Sequence, residues 1–250
     1  MNATDQAQNA FTSKRYTVKY VISLLFSLAC YTGAFAQKKT FVTVKAGNNI
    51  MDVLPMSEIF FYPQFVNGKV FLRDGKVSET KLNYNRLVDE IHFIDKKGDT
   101  LALDGETNIK FVAVGNDTFY YNQGYLRVLY PGNSIKLAIR EVWIISETRQ
   151  IGAYGSTNNS VSTIAFKSIQ EGGRLYDLVV NEDIVLKRQT KYYFGDHFNQ
   201  FMQATKTNLL TLFPKEEQPI ARYLKENKIN FNDKADLEKA VQFVDQLPVK

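Results

Sequence analysis

Residue types that commonly carry out catalysis or bind metals are few and scattered along this chain. Its two histidines, His92 and His197, are far apart, and neither has a second histidine four residues away. Cys30 is the only cysteine, so thiolate zinc clusters and intrachain disulfides are both excluded. The Gly-x-Ser-x-Gly nucleophile motif and the Gly-x-x-x-x-Gly-Lys phosphate loop are also absent from the sequence. We therefore predict no metal site, no cofactor and no catalytic residue, with His92 on an exposed strand face and His197 at a helix start.

Aromatic side chains are the remaining candidates for ligand binding. Tyrosine and tryptophan combine a flat apolar face with a polar tip, so they can stack on sugar rings or line an apolar pocket. Aromatic residues also form strands readily, so core packing is the competing interpretation. In the run Phe119-Tyr120-Tyr121 the two tyrosines face opposite sides of a strand, which places at least one outside the core. The predicted ligand-binding residues are Tyr84, Tyr120, Tyr121 and Trp143.

Strands are the main elements that must position these side chains. From about Thr40 to Phe194, short runs rich in Val, Ile, Phe, Tyr and Thr alternate with turn dipeptides, a pattern typical of antiparallel strands. The clearest turn is Asp74-Gly75, where a type I′ turn would pair Val70–Arg73 with Lys76–Tyr84. The pattern predicts an α+β fold that begins with an antiparallel β meander or sandwich-like region.

The strand pattern is interrupted at two places. After Ile139 the alternation either places Glu141 inward, beside Trp143, or changes register. A bulge at Arg140–Glu141 is the favoured solution, because one extra residue resets the alternation without burying a charge. The stretch from Gly152 to Ser162 is small, polar and nearly free of charge, which predicts a long loop.

The last part of the chain has a helical period. Apolar residues recur every three or four positions from Phe198 to Phe213, with Asp196 as the predicted N-cap and Pro214 ending the helix. A second helix is predicted between Lys215 and Asn227, and a third between about Asp233 and Leu247. Short amphipathic helices cannot bury their apolar stripes alone, so this three-helix tail must pack on itself or on the sheet.

The N-terminal residues 1–36 have the three parts of a secretory signal peptide. Basic residues lead into a short apolar run that closes with Ala34-Phe35-Ala36. The run is short for a bilayer core, which needs about 20 apolar residues. Cleavage after Ala36 is the favoured interpretation, while lipidation at Cys30 and a retained N-terminal anchor are the alternatives. The predicted organisation is a signal peptide over 1–36 and one composite domain over 37–250, β-rich at 40–194 and helical at 195–250.

We expect the exported protein to have an intact mass corresponding to a chain that starts at Gln37. Signal peptidase recognises small side chains at the positions that Ala34 and Ala36 occupy. Intact-mass spectrometry checks this expectation directly. A diacylglyceryl group on an N-terminal Cys30 would instead establish lipoprotein processing.

The charge of the chain argues against nucleic-acid binding. Removal of Lys14, Arg15, Lys19 and Asp5 with the signal segment lowers the formal net charge from +5 to +3. The remaining charges are scattered, whereas a nucleic-acid site concentrates basic residues on one face. The absence of cysteine after residue 30 fits a bacterial envelope protein better than a disulfide-stabilised secreted domain.

Several stretches resemble those of uncharacterised exported proteins from Gram-negative bacterial envelopes. The resemblance covers most of residues 37–250 and implies export to the periplasm or association with the outer membrane, but no activity. The stretches that carry the resemblance are Lys81–Asn85, Gly98–Leu103, Asn116–Tyr121, Ile151–Gly155 and Val180–Asp183.

Three hypotheses about function follow, in decreasing order of support from the sequence. The first is a non-enzymatic envelope module that binds a protein, a glycan or a lipid. The second is a periplasmic carrier in which the sheet and the helical tail enclose an apolar ligand. The third is a hydrolase with a dispersed acidic site, which needs two carboxylates flanking a cleft.

Overall fold

A large antiparallel sheet with a helical C-terminal region forms the described part of the chain. The computed structural model describes residues 41–151, 157–160, 164–165 and 179–248, and the side chains of 41–149 and 179–248. The predicted signal peptide and Cys30 lie outside these residues. The strands are β1 (Phe41–Val44), β2 (Val66–Leu72), β3 (Val77–Asn85), β4 (Glu90–Ile94), β5 (Thr100–Ala102), β6 (Ile109–Val114), β7 (Asp117–Tyr121), β8 (Tyr125–Pro131), β9 (Lys136–Ile151), β10 (Thr157–Ser160), β11 (Ile164–Ala165), β12 (Asp183–Gly195) and β13 (Phe201–Gln203).

Helices precede β2 and follow β13. They are α1 (Ile50–Val53), α2 (Met56–Ile59), α3 (Lys206–Leu212), α4 (Glu217–Glu226) and α5 (Lys234–Gln246). The strand order is β1-β12-β9-β8-β7-β6-β2-β3-β4-β5, with β10 and β11 paired to β9, and β13 paired to β12. Two meanders, β2 to β5 and β6 to β9, meet where β2 pairs with β6. The predicted α+β class, with a meander and a helical tail, is confirmed.

The hairpin at Asp74-Gly75 is confirmed, but its predicted turn type is wrong. β2 pairs with β3 through Phe71 and Val77, and Gly75 has a φ of +91°. A type I′ turn needs positive φ at both central residues, and Asp74 lacks it. The amide of Gly75 donates to the carbonyl of Leu72 (3.2 Å), so Gly75 takes the left-handed position of a longer loop.

Gly75→Val is expected to lower the free energy of unfolding by about 1 kcal/mol or more, because a β-branched residue resists the left-handed conformation. A side chain at this position would meet no atom within 4 Å, so the cost comes from the backbone alone. Urea denaturation measures the change. The control is Ser78→Val, which adds the same side chain at an exposed position of β3 where φ is not positive. Equal stability of the two variants would contradict the prediction.

The predicted bulge at Arg140–Glu141 is wrong. Pairing of β9 with β12 continues through both residues, and the register shifts instead at Ser146. The continuous strand leaves neither charge alone, because Arg140 pairs with Asp89 and Glu141 lies 3.6 Å from Arg188. A bulge was predicted because an unpaired buried charge is costly, and these salt bridges remove that cost.

The long loop predicted over Gly152–Ser162 is also wrong in the part that the structure describes. Thr157–Ser160 forms β10, which pairs with the end of β9. Polar residues such as Asn158 and Asn159 are poor strand formers, so pairing with a long neighbouring strand outweighs local preference here. Residues 152–156 and 161–162 lie outside the described residues.

The first predicted helix begins later than expected. Thr205, not Asp196, is its N-cap, and its hydroxyl accepts from the amide of Asn208 (3.1 Å). Phe201–Gln203 forms β13 because these residues pair with the end of β12. The second and third helices agree with prediction, since Pro219 lies in the first turn of α4 and Asp233 caps α5.

The helical tail packs on the sheet as predicted. One buried cluster, here called the tail cluster, combines residues of α3, α4 and α5 with Ile135, Leu137 and Phe194 of the strand region. A second cluster lies under α1 and α2 and includes Trp143. A third, the central cluster, fills the inner face of β2, β3, β4, β6 and β7 and includes Tyr84 and Phe119.

Candidate functional site

Two of the four predicted ligand-binding residues lie in the protein interior. Tyr84 is 3% exposed, and its hydroxyl donates to the carboxylate of Asp89 (2.7 Å). Trp143 is 1% exposed, and its indole Nε1 donates to the carbonyl of Glu58 (3.1 Å). Each polar tip is therefore already hydrogen-bonded within the protein. A ligand-binding role for these two residues stays a prediction.

Tyr120 and Tyr121 lie on opposite faces of β7, as the alternation predicts. Tyr121 packs against Tyr125 beside the central cluster, with ring centroids 5.3 Å apart. Tyr120 is half-buried on the outer face, between Phe111 (5.9 Å) and Phe201 (5.3 Å). The structure therefore does not bring the four predicted residues together at one site.

Tyr120 belongs instead to a line of four rings across the outer face of the sheet. Phe71 stacks on Phe111, with centroids 4.3 Å apart and planes at 22°. Tyr120 continues the line from β6 to β7, and Phe201 continues it to β13. These four residues, called the aromatic row below, are each only half-buried. At the far end, Val77 pairs with Phe71 and is 48% exposed.

Strand alternation explains why these rings share a face. Val70, Val112 and Phe119 fill the central cluster and are nearly inaccessible to solvent. Each is adjacent in sequence to a member of the aromatic row, and successive side chains of a strand point to opposite faces. Burial of the inner residues therefore determines that their sequence neighbours point to the outer face. Cross-strand pairing of Phe71 with Phe111 then places those two rings side by side.

Sequence reasoning selected Tyr120 but missed the rest of the aromatic row. Phe71 and Phe111 lie in different meanders, and only the pairing of β2 with β6 brings them together. The sequence feature that could have indicated the row is an aromatic residue at an outward-facing position of β2, of β6 and of β7. Partial burial raises the pKa of the Tyr120 hydroxyl, so this group stays neutral and able to donate at physiological pH.

A polar groove of about 590 Å³ adjoins the aromatic row on the same side of β2, β3 and β6. Lys69 and Ala113, which line the groove, are each two positions from a row residue, so they share its face. The ammonium group of Lys69 lies 2.6 Å from the carboxylate of Glu79. Lys81 and Asn67 complete the polar wall, while the small Ala113 leaves the floor open. The groove can therefore offer charges and hydrogen bonds beside an apolar strip.

A group of buried charges adjoins the central cluster through Tyr84. The carboxylate of Asp89 accepts from the Tyr84 hydroxyl, the Tyr125 amide (3.1 Å) and the Arg140 guanidinium. Burial raises the pKa of Asp89, although Arg140 and the Tyr84 hydroxyl act in the opposite direction. Burial and the neighbouring Asp89 raise the pKa of Tyr84 well above its usual value. The network joins β3, β8 and β9, which is a structural role.

A second set of charges centres on Glu141. Its carboxylate lies 3.5 Å from Arg127 and 3.6 Å from Arg188. Arg188 also pairs with Glu58 of α2 at 2.8 Å. Each of these carboxylates is held by a guanidinium, so their geometry resembles a structural salt-bridge network.

The two histidines are not where the sequence placed them. His92 is 2% exposed, because the ring of Phe60 packs edge-on against its ring with centroids 5.9 Å apart. His197 is exposed in the connection after β12 and not at a helix start, since α3 begins only at Lys206. Across the described residues, no group of three or more metal-ligating side chains is placed to hold a metal ion.

No protein-family model, curated protein or solved structure matches this chain. None of the helices in the described ranges is long and apolar enough to cross a membrane.

Proposed function

We propose that the protein is an exported envelope protein that acts as a non-enzymatic binding module. Its binding surface is the aromatic row together with the adjoining groove. The observation that carries the proposal is the alignment of four partly buried rings, each still accessible to solvent, on one face of a paired sheet. Aromatic residues supply large contact areas at a low cost in conformational entropy, which suits them to recognition.

The platform beneath the row favours binding. β2 pairs with β3 and β6, β6 also pairs with β7, and β7 also pairs with β8, so three of the four rings stand on strands with a neighbour on each side. Binding groups held on paired strands are better positioned than groups on loops. The open, polar groove supports a binding module over a carrier, because a carrier encloses an apolar ligand. Export itself rests on the predicted signal segment.

Phe111→Ser combined with Tyr120→Ser is expected to weaken binding to envelope material at least tenfold. The two changes remove the centre of the aromatic row, where hot-spot contacts concentrate, and tenfold corresponds to about 1.4 kcal/mol. The measurement is co-sedimentation of the purified protein with the insoluble envelope fraction of the cells that produce it.

The matched control is Phe198→Ser, which removes a ring that is 70% exposed and outside the row. It should sediment like the unmodified protein. Circular dichroism must first show that the double variant keeps its strand content. A folded double variant that sediments as well as the control would refute the proposed surface.

A further inference from the structure

We propose that the ligand of this surface is an acidic glycan, a chain of sugars that carries carboxylate groups. This inference rests on the proposed function and names the ligand class of the same site. The aromatic row would contact the apolar C–H faces of the sugar rings, and the groove would receive hydroxyl and carboxylate groups. Four observations support this division of roles.

The first observation is the pairing of two chemistries on one face. A sugar ring is apolar on its faces and polar around its rim, and aromatic side chains beside hydrogen-bonding groups match both parts. Phe111 and Ala113 lie two positions apart on β6, so the row and the groove are immediate neighbours. A lipid tail would gain nothing from the charged wall of Lys69 and Glu79.

The second observation is the direction of the row. Its rings follow one another from β2 to β6 to β7 to β13, at separations of 4.3, 5.9 and 5.3 Å. The first two separations reflect the spacing of neighbouring strands, about 4.8 Å. β13 pairs with β12 and not with β7, and the ring of Phe201 reaches Tyr120 across the sheet face. The surface therefore runs across the strands as a narrow line, which fits an extended chain of rings.

The third observation is the size of the surface. The four rings are already partly buried, and because an aromatic side chain buries about 150–250 Å² when fully covered, together they offer at most about 400 Å² of further contact. A stable protein–protein interface buries about 800 Å² on each partner. The groove of about 590 Å³ lies within the range of small-ligand sites, about 300–1,000 Å³. A linear ligand a few sugar units long matches these dimensions better than a folded partner or a second copy of the chain.

The fourth observation is charge. The charged residues that line the groove are two lysines, Lys69 and Lys81, and one acidic residue, Glu79. Lys69 is already paired with Glu79, so the groove keeps a net positive charge that lies on Lys81. Complementary charge raises both selectivity and the rate of association, which favours an anionic ligand over a neutral one.

The test uses soluble, protease-treated polysaccharide released from the envelope of the producing cells. One portion is used as released, and the carboxyl groups of the other are methyl-esterified, which removes charge but keeps the sugars. Titration calorimetry should show binding of the native polysaccharide and at least tenfold weaker binding of the esterified one. Binding of the native form should also weaken as salt is raised, because the contact is exposed.

Two variants test the role of the groove. Lys81→Glu should weaken binding of the native polysaccharide at least tenfold, and Lys81→Gln should weaken it less. Lys225→Glu, an exposed charge reversal on α4, is the matched control and should bind like the unmodified protein. Because both lysines are exposed, folding is not at stake in these comparisons.

The outcomes separate this inference from the proposed function. Equal binding of native and esterified polysaccharide would overturn the acidic part of the inference. If neither polysaccharide binds, but sedimentation with envelope material still depends on Phe111 and Tyr120, the glycan inference is wrong. The same surface would then bind a protein or a lipid. If sedimentation also does not depend on Phe111 and Tyr120, the proposed binding surface is wrong.

Discussion

Val241→Asp is expected to lower the free energy of unfolding by about 3 kcal/mol or more. Val241 is fully buried in the tail cluster, which joins Leu237 and Val244 of α5 to Leu137 of β9 and to Ile135 just before it. An aspartate there would bury a carboxylate among apolar side chains, and the cost of desolvating it has no compensating partner. Urea denaturation followed by circular dichroism measures the loss.

The matched control is Gln242→Asp, which adds the same charge at the next, exposed position of α5. Its stability should stay within about 0.5 kcal/mol of the unmodified protein, as is usual for surface changes. A Val241→Asp variant as stable as this control would mean that α5 does not dock through its apolar stripe.

The same variant tests whether the tail and the strands unfold together. Trp143 is the only tryptophan and lies in the strand region, far from the substituted helix in sequence. Since the tail cluster includes strand residues, fluorescence of Trp143 and helical circular dichroism should report one shared, lowered transition. Two separate transitions, with that of Trp143 unchanged, would contradict the predicted single composite domain.

Asp89→Asn is expected to cost about 3 kcal/mol, the second largest effect. Asp89 holds the connection between β3 and β4 with a φ of +58°, which asparagine also tolerates. The amide cannot neutralise the Arg140 guanidinium, and removing one partner of a buried ion pair costs about 3–5 kcal/mol. Equilibrium denaturation of the variant gives the change.

A double-mutant cycle isolates the contribution of the pair. Arg140→Gln alone should also destabilise the protein, because it leaves the carboxylate of Asp89 buried without its cation. The combined variant should lose less stability than the two single losses together, since groups in direct contact are coupled. Strict additivity would show that the ion pair does not stabilise this connection.

Local patterns in the sequence predicted the elements that form through contacts between residues close in sequence. The apolar stripe of α5 and its cap at Asp233 depend on residues within four positions of one another, and both are confirmed. The hairpin at Gly75 depends on a short connection, and it is confirmed except for the turn type. Such features depend on residues close in sequence and not on distant contacts.

Features that depend on distant pairing could not be predicted in this way. Phe201 continues a helical period, yet it forms β13 because β12 offers it an unpaired edge. His92 looks exposed by alternation, yet it and its neighbour Ile91 are both buried, although they point to opposite faces of β4. The stacking of Phe71 on Phe111 needs the register between two meanders, which no local pattern contains. Residue type alone was therefore enough to select Tyr120, but the pairing of strands was needed to identify the aromatic row.

The central claim is that the aromatic row and its groove contact an envelope ligand, and site-specific photo-cross-linking tests it most directly. Benzoylphenylalanine in place of Val77, at the exposed end of the row, is compared with the same residue in place of Phe198. Irradiation in the presence of envelope material should give a cross-linked product from position 77 and none from position 198. Equal products from the two positions, or none from position 77, would contradict the account.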